Sequence, residues 1–200
     1  MKCDAFSIAL KDYPREAVDA FLDYHKSNGG YSRFEKFRYF FKEFHPVEDV
    51  ESKVDLALRR FATAVFESYT AMSPITEAIT TIKALRLQSI KLWVCSGSKQ
   101  DELQKVFRYH HLDEHFEAVL GSPTSKVEHL NSIIEHTGIQ SHELRFVGDG
   151  RADYDASLKL QIPFFYLGEY SEWAPETPIQ DYQGKSFKRW PDLREELLKL

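Results

Sequence analysis

The chain has 200 residues, 42% hydrophobic and 28% charged, with a net charge of −5. That is enough apolar material for one substantial core. The acidic balance and dispersed basic residues exclude a polyanion partner such as nucleic acid, and the short basic group Lys185 to Arg189 reads as a solvated face. No apolar run approaches the ~18 residues of a membrane helix, and the N-terminal run after Asp4 is too short for a secretory signal and has no cleavage site, so no membrane partner is expected. Cys3 and Cys95 form no disulfide or metal-ligand pattern, which suits the reducing cytoplasm.

Residues 1 to 73 read as helix throughout. Pro14 fits a first turn, Val18, Phe21, Leu22 and His25 recur on one face, and Gly29-Gly30 stops the helix. Ser32 with Glu35 predicts a capping box for the next helix, whose Phe34, Phe37, Phe41 and Phe44 line one side. A long helix is predicted from about Val47 to Met72, with Val54, Leu58, Phe61, Val65 and Tyr69 at helical spacing. This density of aromatic residues is expected to be a bundle core.

After Ser73 to Thr76 the pattern changes. Helix Glu77–Leu87 leads to the apolar run Ile90–Cys95, and helix Gln100–Tyr109 leads to Glu117–Gly121. Helix Lys126–Thr137, ended by Gly138, leads to Leu144–Asp149, and helix Ala152–Leu160 leads to Ile162–Gly168. Residues 168 to 190 read as irregular surface, followed by an amphipathic closing helix from Trp190. Such alternation predicts an α/β fold with a parallel sheet covered on both faces.

Ligands of such sheets bind beyond the carboxyl ends of the strands. There the sequence places Ser96, Gly97 and Ser98 after one strand, Lys126 shortly after the next, and Asp149 with Asp153 after the third. Hydroxyl and amide donors suit an anionic oxygen, lysine suits a phosphate or a carboxylate pair, and two aspartates are hard ligands for Mg²⁺. Together they point to phosphoryl chemistry, which depends on positioning and charge stabilisation. Taken singly, Asp149 also fits a helix cap, Ser96 a turn and Lys126 a solvated first-turn lysine. Other motifs fail: "GDGRAD" has two of the three glycines of a dinucleotide loop, "VCSGS" is not GxSxG, Cys95 has Asp101 where a cysteine phosphatase needs arginine, and the eight histidines show no zinc spacing.

With Ser96, Lys126, Asp149 and Asp153 in this order, the chain resembles the haloacid dehalogenase (HAD) superfamily of phosphatases, nearest its phosphoglycolate-phosphatase-like branch with a helical cap. "VCSGS" looks like that family's second motif, "GSPTSK" its lysine motif and "FVGDGRADYDAS" its metal motif. The resemblance implies a Rossmann-like three-layer α/β/α core over residues 74–200 and a helical-bundle cap over residues 1–73. It implies that Ser96, Gly97 and Ser98 bind phosphoryl oxygens, that Lys126 steadies nucleophile and phosphate, and that Asp149 and Asp153 hold Mg²⁺. In the cap, "GGYSRFEKF" looks like the segment that reaches substrate, nominating Arg33 and Lys36; the competing reading is a solvent-facing pair.

One family motif is missing. An apolar strand ending in DxD, whose first aspartate attacks phosphorus and whose second serves as acid and base, should precede the cap, yet Met1 already lies in cap-like sequence. In the family that strand is central, between the strands ending at Ser96 and Asp149. Its loss strips both neighbours of ladder partners, at about 1–3 kcal/mol per unpaired buried group, against a typical stability of about 5–15 kcal/mol. Either the two strands close up, or a short upstream extension supplies strand and nucleophile. The expectation is therefore a Mg²⁺-dependent phosphatase of a small phosphorylated metabolite, inactive as these 200 residues. The alternatives are a non-catalytic relative binding a phosphorylated ligand or a protein partner and, third, a nucleotide-binding oxidoreductase.

Overall fold

The computed structural model describes residues 2–28, 31–173, 175 and 184–200, with backbone alone at 2 and 3. Four α-helices come first: α1 (Lys2–Ala9), α2 (Arg15–Ser27), α3 (Arg33–Tyr39) and α4 (Val50–Ala71). The proposed stop at Gly29-Gly30 lies outside the described residues. Asp49 caps α4 by accepting from the Ser52 amide at 3.1 Å, so this helix starts later than its apolar spacing predicts. Ser32 caps α3 through the Phe34 amide rather than through a capping box with Glu35.

Between α3 and α4, Phe40–Phe44 forms a π-helical turn, closed by the His45 amide donating to the Phe40 carbonyl at 2.8 Å. The extra residue per turn carries both Phe40 and Phe41 inward, where each is fully buried. Phe6, Phe21, Phe37, Phe40, Phe41 and Phe61 form the centre of this helical region, with ring centroids mostly 4.6–6.3 Å apart in edge-on or tilted contacts. The expected aromatic bundle core is therefore present.

The remainder alternates helix and strand: α5 (Thr76–Leu87), β1 (Trp93–Lys99), α6 (Gln100–Tyr109), β2 (Ala118–Ser122), α7 (Lys126–Thr137), β3 (Phe146–Gly148), α8 (Arg151–Leu160), β4 (Phe164–Leu167), β5 (Lys185–Phe187) and α9 (Trp190–Leu197). All pairings are parallel. Helices cover both faces. On one, Leu85 of α5 and Leu193 and Leu197 of α9 pack with Val147, Phe165 and Leu167; on the other, Leu130 of α7 and Ala156 of α8 pack with Cys95 and Phe146. Successive strand residues alternate between these faces, so the continuous apolar run of β4 is buried on both.

The sheet is nevertheless split. Among the described residues β1 pairs with β2 alone, while β3, β4 and β5 form a separate three-stranded sheet. The inward edges of β1 and β3 line one cleft of about 660 Å³, to which Trp93, Val94 and Cys95 contribute from one side and Phe146 and Val147 from the other. Every residue of β1 and β3 is only half-buried, whereas all four of β4 are buried. In a covered parallel sheet the middle strands should be the most buried. Here the middle is open, and among the described residues the two edges have not closed on each other.

Candidate active site

Near the carboxyl end of β1 the register with β2 shifts between Cys95 and Lys99, so that Ser96, Gly97 and Ser98 form a looped-out irregularity within the strand. Ser96 Oγ accepts from the Ser98 amide at 3.1 Å, a local turn contact that leaves the hydroxyl proton available. The Gln100 side chain ties this loop to β2, donating to the Val119 carbonyl at 2.7 Å and accepting from the Gly121 amide at 2.5 Å. A Cβ at Gly121 would lie 2.6 Å from the Ser98 carbonyl oxygen, so only glycine permits this approach.

Lys126 opens α7, which has a full capping box between Ser125 and Glu128 and ends on Gly138 at φ 71°. Its ammonium donates to the Asp153 carboxylate on α8, both side chains being about nine-tenths buried. The other Asp153 oxygen accepts from the Gly150 amide at 3.1 Å. Gly148 makes this packing possible, because a Cβ there would sit 2.6 Å from Asp153 Cβ. Asp149, by contrast, is exposed, and its carbonyl accepts from Ser171 Oγ at 2.5 Å. Gly150 occupies the cap position of α8, so the reading of Asp149 as the helix cap fails.

Cys95, next to Ser96, links the two clusters. Its thiol is pushed up to about 11 by burial, with opposing influences from Lys126 and Asp153. The ion pair therefore lies within electrostatic reach of the β1 tip and of the open cleft that Cys95 also lines.

A second cavity, of about 250 Å³, lies between the helical region and the strand tips, with Ser96, Gly97 and Ser98 in its wall. Arg33 and Lys36 line it too, and they are 6% and 2% exposed, so the solvent-facing reading of this pair is overturned. Burial is tolerated because each has a partner: Arg33 Nη2 donates to Glu102 on α6 at 2.7 Å, and Lys36 Nζ lies 2.7 Å from His25 Nδ1. The Arg33 guanidinium also sits 5.1 Å from the Phe61 ring centroid. A further tie between the two parts is Tyr31, whose hydroxyl donates to Asp155 at 2.5 Å and is pushed up to about 12 by burial and by that bond.

The structure thus brings Ser96–Ser98 together with Arg33 and Lys36, and Lys126 together with Asp153; Asp149 stands four residues before Asp153 on an exposed loop. Sequence reasoning missed Tyr31, Glu102 and Gln100 as participants. Their partners lie 19 to 124 residues away, and no local signal marks them. His25 was legible only as one position of an apolar face. Among the described residues no group of three or more His, Cys, Asp or Glu side chains is placed to hold a metal ion. Asp149 and Asp153 offer two carboxylates, a set compatible with Mg²⁺, which keeps several waters and takes substrate phosphate as a ligand, but Asp153 is already engaged by Lys126.

A family model for haloacid dehalogenase-like hydrolases matches residues 33–167. The chain belongs to that family. Its fold is shared by solved structures at low identity. A predicted phosphatase from Clostridium acetobutylicum is 15% identical, with a TM-score of 0.74 over 99% of this chain and 90% of that one. A predicted phosphoglycolate phosphatase from Haemophilus somnus is 17% identical, with a TM-score of 0.74 over 98% and 89%. Protein Tyrosine Kinase A from Mycobacterium tuberculosis is 18% identical, with a TM-score of 0.68 over 98% and 89%. No curated protein matches significantly. No helix among the described residues is long and apolar enough to cross a membrane. The chain is accordingly a haloacid dehalogenase-like hydrolase, with a Rossmann-like core and an N-terminal helical region.

Proposed function

We propose that these residues form the cap (1–73) and core (74–200) of a Mg²⁺-dependent phosphomonoesterase that acts on a small phosphorylated metabolite in the cytoplasm. The observation that carries this reading is the open cleft between β1 and β3, flanked at its rim by the Ser96 loop and the Lys126–Asp153 pair. A parallel strand entering the cleft would bring its last residues to that rim. We assign this strand to sequence upstream of Met1.

On this reading an aspartate at the end of the entering strand attacks phosphorus. A P–O bond to its carboxylate forms as the ester P–O bond breaks, and a second carboxyl group donates a proton to the departing alkoxide. Water, giving its proton to that second group, then cleaves the aspartyl-phosphate and releases inorganic phosphate. Ser96 and the loop amides hold phosphoryl oxygens, and Lys126 offsets charge on the phosphate and the attacking carboxylate. Mg²⁺, held by Asp149 and Asp153, would supply further charge neutralisation when bound.

Phosphatase assays on the 200-residue chain and on a version extended upstream, each with Mg²⁺, test the proposal. The extended protein is expected to turn over phosphoesters and the shorter chain not to. Robust turnover by the 200-residue chain, or an upstream coding sequence with no apolar run ending in two aspartates one residue apart, overturns the assignment of the nucleophile. Phosphate binding without turnover in both forms supports a non-catalytic phosphoester-binding protein instead.

A further inference from the structure

Two helices bring apolar stripes to the cavity that Ser96 and Ser98 also line. Phe61 and Val65 lie one turn apart on α4 with Phe66 next to them, and Leu103, Val106 and Phe107 share one side of α6; all six are in the cavity wall. No residue of α6 is fully buried. Val65, Leu103, Val106 and Phe107 are half-buried, and Phe66 is 41% exposed. The wall therefore keeps apolar surface that a bound ligand would take out of water.

The charged side chains in the same lining are engaged with protein partners. Arg33 Nη2 donates to Glu102 at 2.7 Å, and Lys36 Nζ lies 2.7 Å from His25 Nδ1. The hydroxyl of Tyr31, also in the lining, donates to Asp155. A sugar entering this space gives up water at its hydroxyls and meets an apolar wall, which costs free energy wherever a hydroxyl goes unpaired. An apolar body gains on the same wall. The cavity volume of about 250 Å³ sets the size of that body. A cavity of roughly 150 Å³ lined by side chains of this kind accepts benzene, so one ring fits here with space for a phosphoryl group.

We propose that the preferred ligand is a phosphomonoester whose body is a single apolar ring, such as an aryl phosphate, with the ring against the stripes of α4 and α6. This rests on the phosphatase reading above and narrows its substrate from small phosphorylated metabolites in general to one chemical class. Sugar phosphates are disfavoured because the wall does not replace the water their hydroxyls lose. Phosphoglycolate is disfavoured because it has no apolar body to cover the stripes.

Calorimetric titration of the 200-residue chain in Mg²⁺ tests the proposal with five probes: inorganic phosphate, phenol, phenyl phosphate, glucose 6-phosphate and 2-phosphoglycolate. Phenyl phosphate is expected to bind about tenfold or more tightly than each of the others, the increment of covering a ring's apolar surface in addition to holding the phosphoryl group. Phe66→Ser, at a partly exposed position, should narrow the ratio of phenyl phosphate to inorganic phosphate affinity by about threefold or more. An unchanged ratio puts the ring elsewhere and overturns the proposal; the ligand series in the unaltered chain decides even if that variant does not fold. Glucose 6-phosphate or 2-phosphoglycolate binding as tightly as phenyl phosphate, while phosphate itself binds, overturns the ligand class alone. Phenol binding as tightly as phenyl phosphate, or failure of every phosphorylated probe to bind, overturns the phosphate site and this inference with it.

Discussion

The Lys126 ammonium donates to the Asp153 carboxylate across the start of two successive helices, with both side chains almost fully enclosed. Removing one member of such a pair strands the other charge in a poorly solvated place. Lys126→Met is expected to lower unfolding free energy by about 3–5 kcal/mol in urea titrations. Added Mg²⁺ should recover part of that loss, because a cation beside Asp153 replaces the one removed. No recovery would count against Mg²⁺ at this carboxylate.

Gly148→Ala places a methyl group 2.6 Å from Asp153 Cβ. Something must move, and overpacking of this kind costs about 1–3 kcal/mol. The expected outcome is a lower melting temperature, together with weaker phosphate binding because Asp153 is pushed off Lys126. A fully stable variant with unchanged binding would show that the contact relaxes freely.

Cys95 reports on pH. Burial pushes its thiol to about 11, so at neutral pH it is protonated and a poor nucleophile. Alkylation by iodoacetamide is expected to be slow near pH 7 and to accelerate as pH climbs towards 11. The sign for stability follows: the folded chain holds this proton more tightly than the unfolded one, whose thiol titrates near 9. The associated stability is complete below about 9 and is lost as pH rises from there through 11. A faster reaction at pH 7 than that of a free thiol would overturn this environment.

The open cleft should be visible in hydrogen exchange. Amides of β1 and β3 that face it have no ladder partner among the described residues, whereas β4 is paired on both sides. Exchange at Val94 and Val147 is expected to outpace that at Phe165. Extension of the chain upstream should slow it. Equal protection without the extension would mean that the two edges close in solution.

Phe37, fully buried in the aromatic centre of the helical region, gives a separate measure. Phe37→Ala should cost about 3–5 kcal/mol and leave the strands intact, as judged by circular dichroism at partial denaturation.

The boundaries that could be read from sequence are those fixed by local chemistry. α7 runs Lys126–Thr137 as expected, because Ser125, Glu128 and Gly138 cap it within the segment itself; α6 also runs as expected, over Gln100–Tyr109. β1 was expected at residues 90–95 and is found at Trp93–Lys99, since strand limits depend on the partner and β2 pairs only from Trp93 onward. The π-helical turn at Phe40–Phe44 was invisible, because the spacing of Phe34, Phe37, Phe41 and Phe44 reads as one unbroken helix. At the site, the positions of Lys126 and Asp153 were legible from their place after successive strands, whereas Ser96, expected just beyond its strand, lies within β1. The burial of Arg33 and Lys36 was not: charged residues belong outside by default, and what holds Arg33 inside is Glu102, 69 residues away.

Most sheets keep their unsatisfied backbone at the periphery, where short, charged or bulged strands discourage neighbours from adhering. This one carries it at the centre, as two facing rows of donors and acceptors with apolar side chains above and below. Such a surface invites another polypeptide to zip in, including a second copy of itself. A segment bound in the cleft would therefore also guard the molecule against self-templated assembly.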